Sequence, residues 1–164
     1  MTSLCAPLPE KALVIAADSG WDNALALGLS PDVLVGDMDS ISAVPDGVEL
    51  HRSPAVKDET DAQLAIRCAV SRGADSLTLV GRIAGRADHT LSLIFLLESL
   101  KKHGIAAEIV DDINRIRLFS NEAFALRRAG FKYFGLLSLG RSTVSASSCK
   151  YPLERSELVR DNPY

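Results

Sequence analysis

The chain has 164 residues and a mass of 17.6 kDa, with 47% hydrophobic and 24% charged residues and a formal net charge of -3. That length supports a buried core without disulfide staples, and a pI of about 5.6 argues against a broad electrostatic partner for nucleic acid. The apolar runs are strand-length and broken by charge or glycine, which excludes a membrane span. The N-terminus lacks the basic region and long apolar stretch of a signal peptide. Cys5, Cys68 and Cys149 are an odd, scattered set without a CxxC pair. They read as reduced thiols in a cytoplasmic protein rather than a disulfide framework or a zinc site.

The first two-thirds of the chain alternates strand and helix signals. Ala12–Ala17 is a short continuous apolar run, as in a strand covered on both faces. Ser19–Leu27 predicts a helix stopped by Gly28, and Val33–Val35 predicts a second buried strand leading into Gly36-Asp37-Met38-Asp39-Ser40. Val48–His51 predicts a short third strand after the Pro45-Asp46-Gly47 turn. Thr60 and Gln63 have capping-box spacing, so a helix is expected from Asp61 to Arg72 with Gly73 as its stop. Ser76–Val80 is the next predicted strand. Gly81–Thr90 reads as a loop rich in glycine and charge, and Leu91–Lys102 as a helix closed by Gly104. Ile105–Val110 completes the alternation.

Beyond Asp112 the helical period disappears. Ile116–Phe119, Ala123–Leu126 and Tyr133–Leu139 are short strand candidates separated by turn signals. The expected organisation is an α/β domain over residues 1–112 and a strand-only domain over 113–164.

Acidic residues stand where the strands end. Asp18 follows the first, Asp37 and Asp39 the second, Asp58 and Asp61 bracket a helix start, and Asp88 lies in the glycine-rich loop. In an open parallel sheet these ends share a rim where ligands bind. Carboxylates gathered there repel one another and call for a cation, and oxygen donors suit Mg²⁺. Each residue also has a plainer reading. Asp18 alone is a turn former, Asp58 a surface charge and Asp61 an acid favoured by a helix dipole. His89 alone is a capping or packed histidine, and Lys57 a surface lysine. In the Gly81–Thr90 segment, glycines and a helix start offer N–H groups to an anion, with Arg82 and Arg86 as phosphate partners. It is neither a Walker A loop nor a GxGxxG fingerprint.

Four segments in order, Ala-Ala-Asp-Ser-Gly (16–20), Ser-Pro-Asp-Val-Leu-Val-Gly-Asp-Met-Asp-Ser (30–40), Lys-Asp-Glu-Thr-Asp-Ala-Gln-Leu-Ala (57–65) and Gly-Arg-Ala-Asp-His-Thr-Leu (85–91), resemble the thiamine pyrophosphokinase family. Weaker similarity continues through Asn114 and Ser138 to Lys150-Tyr151-Pro152-Leu153. The resemblance implies a Rossmann-like nucleotide-binding (catalytic) domain over 1–112, and a small β-sandwich over 113–164 that binds thiamine. It implies Mg-dependent transfer of diphosphate from ATP to the thiamine hydroxyl, with release of AMP, in a homodimer. Asp37, Asp39 and Asp61 are then expected to hold the metal and, with Asp88, to serve catalysis. Asp18, Ser40, Lys57, Thr60, Gly85, Arg86, His89 and Thr90 are expected to serve ATP, and Ser138 the thiamine side. The chain is short at both ends relative to the family, so the sandwich is expected to be incomplete. Two other functions fit the same rim: a related pyrophosphokinase acting on a pterin alcohol, and a non-catalytic Mg-nucleotide-binding remnant.

Overall fold

The computed structural model describes residues 1, 3–37, 47–52, 59–83 and 86–162. The chain divides into two compact units, Met1–Ala125 and Leu126–Tyr164.

In the first unit, β1 (Ile15–Ala17), β2 (Val33–Gly36) and β3 (Glu49–Arg52) form a parallel sheet in the order β1-β2-β3. Ile15 lies opposite Val33, and Val35 opposite His51. Successive side chains of a strand point to opposite faces, and both faces here are apolar. On one face Ala16 and Leu34 pack against Trp21 of helix α1 (Gly20–Ala26). On the other, Ile15, Val33 and Val35 pack with Leu64 and Cys68 of helix α2 (Asp61–Ser71). Covering on both sides explains why β2 reads as an unbroken apolar run. The single tryptophan is a core residue.

A second sheet, ordered β4-β5-β6, contains β4 (Ser76–Val80), β5 (Ala106–Val110) and β6 (Arg115–Arg117). β4 and β5 are parallel, with helix α3 (Ala87–Lys102) between them in sequence, and β6 returns antiparallel to β5. Ile109 and Val110 are buried, as are Leu97 and Leu100 of α3. Helices α1, α2 and α3 end in the same way. The N–H of Gly28, Gly73 or Gly104 closes the last turn, and the N–H of the following residue bonds back to Ala24, Ala69 or Leu100. Each of these glycines has a positive φ, which a residue without Cβ adopts at no steric cost.

Three differences from the sequence reading have clear causes. The expected boundary near Asp112 falls inside the first unit, because the β5–β6 ladder pairs Glu108 with Arg117 and Val110 with Arg115. The Gly81–Thr90 segment is not loop throughout: α3 begins at Ala87, so Asp88, His89 and Thr90 form its first turn. Residues 123–126 and 133–139 are not strands. The second unit instead forms an antiparallel pair, β7 (Arg141–Ala146) with β8 (Leu153–Val159). β7 is mostly exposed, and β8 buries only Leu158 among largely polar neighbours, so neither carries the clean apolar alternation by which strands are read from sequence. Their pairing is supported by the ladder itself and by an ion pair between Arg141 and Glu157 at 2.5 Å. The pairing shifts register between Val144 and Ala146, where the Arg155 N–H donates to Ser145 Oγ at 3.0 Å. The architecture is thus an α/β unit with parallel strands and flanking helices, followed by a small strand-rich region. Among the described residues no helix is long and apolar enough to cross a membrane.

Candidate active site

Each loop that leaves the carboxyl end of β1, β2, β3 or β4 carries one of the motif segments. Asp18 makes the corner between β1 and α1. Its N–H donates to the Val35 carbonyl at 2.8 Å, and its carbonyl accepts from the Trp21 N–H at 3.0 Å. Its φ of 45° lies in the left-handed region, which aspartate tolerates better than most residues. Gly36 ends β2 against this corner. A Cβ on Gly36 would lie 3.4 Å from the Asp18 backbone N, Cα and Cβ, and its φ is 153°. The chain therefore leaves β2 directly over Asp18, which brings the Asp18 and Asp37 segments together. Asp37 is half-buried just beyond.

Thr60 is the N-cap of α2. Its Oγ1 accepts from the Gln63 N–H at 3.3 Å, and Gln63 Oε1 accepts from the Thr60 N–H at 2.8 Å. This reciprocal box sets where the helix starts and puts Asp61 in the first turn, near the positive end of the helix dipole.

Arg86 is the N-cap of α3 and has an extended backbone. Its Nε donates to Asp88 Oδ1 at 3.1 Å and its Nη2 to Asp88 Oδ2 at 2.5 Å. This fork holds the Asp88 carboxyl below the usual carboxylate range and raises the Arg86 guanidinium in turn. Both side chains are exposed. A cationic guanidinium beside the N–H groups of a helix start is a setting that attracts phosphate. His89 and Thr90 lie in the same turn.

Asp39, Ser40, Lys57 and Gly85 lie outside the described residues. Ser138 belongs to the second unit, where its Oγ lies 2.9 Å from Ser142 Oγ and accepts from the Gly140 N–H at 3.2 Å. Among the described residues, no group of three or more His, Cys, Asp or Glu side chains converges to hold a metal ion. The expected metal set of Asp37, Asp39 and Asp61 includes a residue outside that range.

One feature of the rim escapes the sequence reading. Asp111, just after β5, is a buried charged residue whose carboxylate accepts four hydrogen bonds. Burial alone would push its carboxyl up. The bonds from the Asn114 side chain and from the backbone N–H groups of Ile113, Ile83 and Asn114 outweigh burial and hold it below the ordinary range. The available signal was local: an aspartate at a strand end with an asparagine three residues later.

Parallel strands flanked by helices, with polar loops at the strand ends, define a Rossmann-like α/β enzyme fold. Residues 6–109 match the family described as thiamin pyrophosphokinase, catalytic domain. The chain is 30% identical over 162 residues to the thiamine pyrophosphokinase of Bacillus subtilis (strain 168), with 92% of this chain and 74% of that protein covered. A thiamin pyrophosphokinase family protein from Enterococcus faecalis superposes with a TM-score of 0.75 at 26% identity, covering 92% of this chain and 75% of that one. The thiamin pyrophosphokinase from Geobacillus thermodenitrificans gives a TM-score of 0.71 at 25% identity, covering 93% and 74%. The chain belongs to the thiamin pyrophosphokinase family.

Proposed function

We propose that the chain is a thiamine diphosphokinase, transferring the β,γ-diphosphate of ATP to the hydroxyl of thiamine and releasing AMP. The observation that carries this reading is that the family match, over residues 6–109, includes all four motif segments. An alcohol is a weak nucleophile at neutral pH, so a carboxylate must orient it or accept its proton. Asp61, at the start of α2, suits that role. The oxygen of thiamine bonds to the β-phosphorus, the bond from that phosphorus to the oxygen bridging to the α-phosphate breaks, and AMP leaves with that oxygen.

Asp37, Asp39 and Asp61 offer the hard oxygen donors that Mg²⁺ prefers, and a carboxylate left off the metal is the one able to take the proton. Bound Mg²⁺ would neutralise phosphate charge and polarise the phosphoryl group. Arg86 and Lys57 add positive charge for the phosphates, Asp88 holds Arg86, and Ser40, Thr60, Gly85, His89 and Thr90 supply polar and backbone groups around ATP. Asp18 shapes the neighbouring corner. Because displacement at phosphorus must be in line, positioning carries much of the rate.

In this reading the first unit, Met1–Ala125, serves the nucleotide, and the second, Leu126–Tyr164, with Ser138, serves thiamine. The active form is a cytoplasmic homodimer without a nucleic-acid or membrane partner. Incubation with Mg-ATP and thiamine should yield AMP and thiamine diphosphate in equal amounts. AMP formed only with a pterin alcohol would favour that acceptor, and ATP binding without any product would favour a non-catalytic role.

A further inference from the structure

The loop after β5 contains a buried carboxylate for which the proposed chemistry has no use. Asp111 is 1% exposed. Its Oδ1 accepts from the backbone N–H groups of Ile113 at 2.9 Å and Asn114 at 2.5 Å. Its Oδ2 accepts from Asn114 Nδ2 and from the Ile83 N–H, both at 3.0 Å. Its backbone is held as well, donating to the Asn114 carbonyl at 3.0 Å and accepting from the Cys5 N–H at 2.9 Å.

Closing the local turn needs only Oδ1, and a solvent-exposed aspartate does that at little cost. Burying an ionised carboxylate is expensive unless its lone pairs are satisfied. Here the second oxygen reaches back 28 residues to Ile83, in the loop after β4. Two further contacts join the same two loops. The Gly81 N–H donates to the Val110 carbonyl at 3.3 Å, and Arg82 Nη2 lies 3.6 Å from Asp112 Oδ2. Ile83 stands three residues before Arg86. Three residues of chain span at most about 11 Å, so an anchor at Ile83 limits where Arg86 and the first turn of α3 can stand.

We propose that Asp111 is a positioning residue: by holding the Ile83 N–H it limits where Arg86, Asp88 and His89 stand toward the nucleotide. This rests on the reading that those residues serve ATP. Asp111 itself touches no reacting group.

Asp111→Asn tests it. An amide has one oxygen and one NH₂, so whichever way it turns, one side meets donors with a donor. In the full chain, amide exchange at Ile83 should accelerate. The KM for ATP should rise on the order of tenfold or more, since small misplacements at a reacting centre are costly, while the KM for thiamine stays within about twofold. Asp112→Ala, which removes an exposed partner of Arg82 and leaves Asp111 intact, should raise the ATP KM in the same direction by up to roughly fivefold, the ceiling for an exposed ion pair. Unaltered exchange at Ile83 in folded Asp111→Asn would overturn the proposal. So would faster exchange with an unaltered ATP KM, or an equal rise in both KM values. If Asp111→Asn does not fold, Ile83→Pro decides, because it removes the donor of the proposed bond and leaves the other three bonds to Asp111 in place: an unchanged ATP KM overturns the proposal and a rise of the same order supports it. Calorimetry of the wild-type chain with Mg-ATP separates the two levels. No binding there overturns the nucleotide reading and this role together, whereas wild-type binding with unaffected variants overturns the positioning role alone.

Discussion

Gly36 rests against Asp18, with the position of its absent Cβ 3.4 Å from the Asp18 backbone, and this contact holds two motif segments in one corner. A side chain at Gly36 would sit at ordinary contact distance from Asp18, and its cost lies in the φ of 153°, a conformation L-residues rarely adopt. Gly36→Ala should therefore destabilise the fold by at least about 1 kcal/mol. Because the strain falls beside Asp37, it should also weaken Mg-ATP binding. Thermal melting and calorimetric titration read the two effects separately. A variant with a lower melting temperature but normal Mg-ATP affinity would show that the corner is structural only.

The Thr60–Gln63 box makes a simpler prediction. Thr60→Ala removes the acceptor for the Gln63 N–H and frees one end of α2. Loss of such a cap typically costs about 1 kcal/mol. For a domain of this size that lowers the melting temperature by roughly 2–4 °C. A serine at the same position should restore most of it. Equal losses in the alanine and serine variants would argue against the hydroxyl as the cause.

Asp37→Asn and Asp39→Asn should each weaken Mg-dependent ATP binding while the protein still melts cooperatively. Loss of a group that merely supports a metal ligand costs about 10–100-fold in metal affinity, and loss of a ligand should cost no less. Titration of ATP with and without Mg²⁺ checks this. Equal affinity in both variants and wild type would remove these carboxylates from the metal site.

The Arg86–Asp88 fork is exposed, so it adds little to stability. Asp88→Ala should shift the melting temperature only slightly. With its guanidinium no longer held, Arg86 samples other rotamers, and kcat/KM for ATP should fall by about tenfold or more. Arg86→Ala should lower it at least as far, because it also removes the charge proposed to meet the phosphates. Unchanged kcat/KM in both variants would detach the pair from catalysis.

Acid stability should report on Asp111. Its folded-state pKa lies below the unfolded value of about 3.9. The stabilisation from the ionised group is complete above that unfolded value and is lost as pH falls toward the folded-state value. Stability measured by denaturant between about pH 5 and pH 2 should fall less steeply in Asp111→Asn than in wild type. Parallel slopes would show that the bonds to Asp111 do not distinguish the folded state.

The start of α2, the three glycine stops and the buried run of β2 were legible because their causes lie within a few residues. Capping pairs Thr60 with Gln63, and helix closure needs only the glycine after the last turn. The start of α3 was harder to read: Arg86 caps it without a side-chain hydrogen bond, so the usual sequence signal is missing. β7 and β8 were not legible, since strands this polar carry no clean apolar alternation.

Up to β5 the amino-acid order alone determined the succession of strands and helices, and with it that each motif follows a strand's carboxyl end. Hydrophobic period and capping act over one or two turns and suffice for that. Which loops meet was decided only in the tertiary structure. The Asp111–Ile83 bond, the seating of Gly36 on Asp18 and the return of β6 onto β5 depend on strand order and register. Those follow from how strands and helices pack on one another, a condition that no single segment carries.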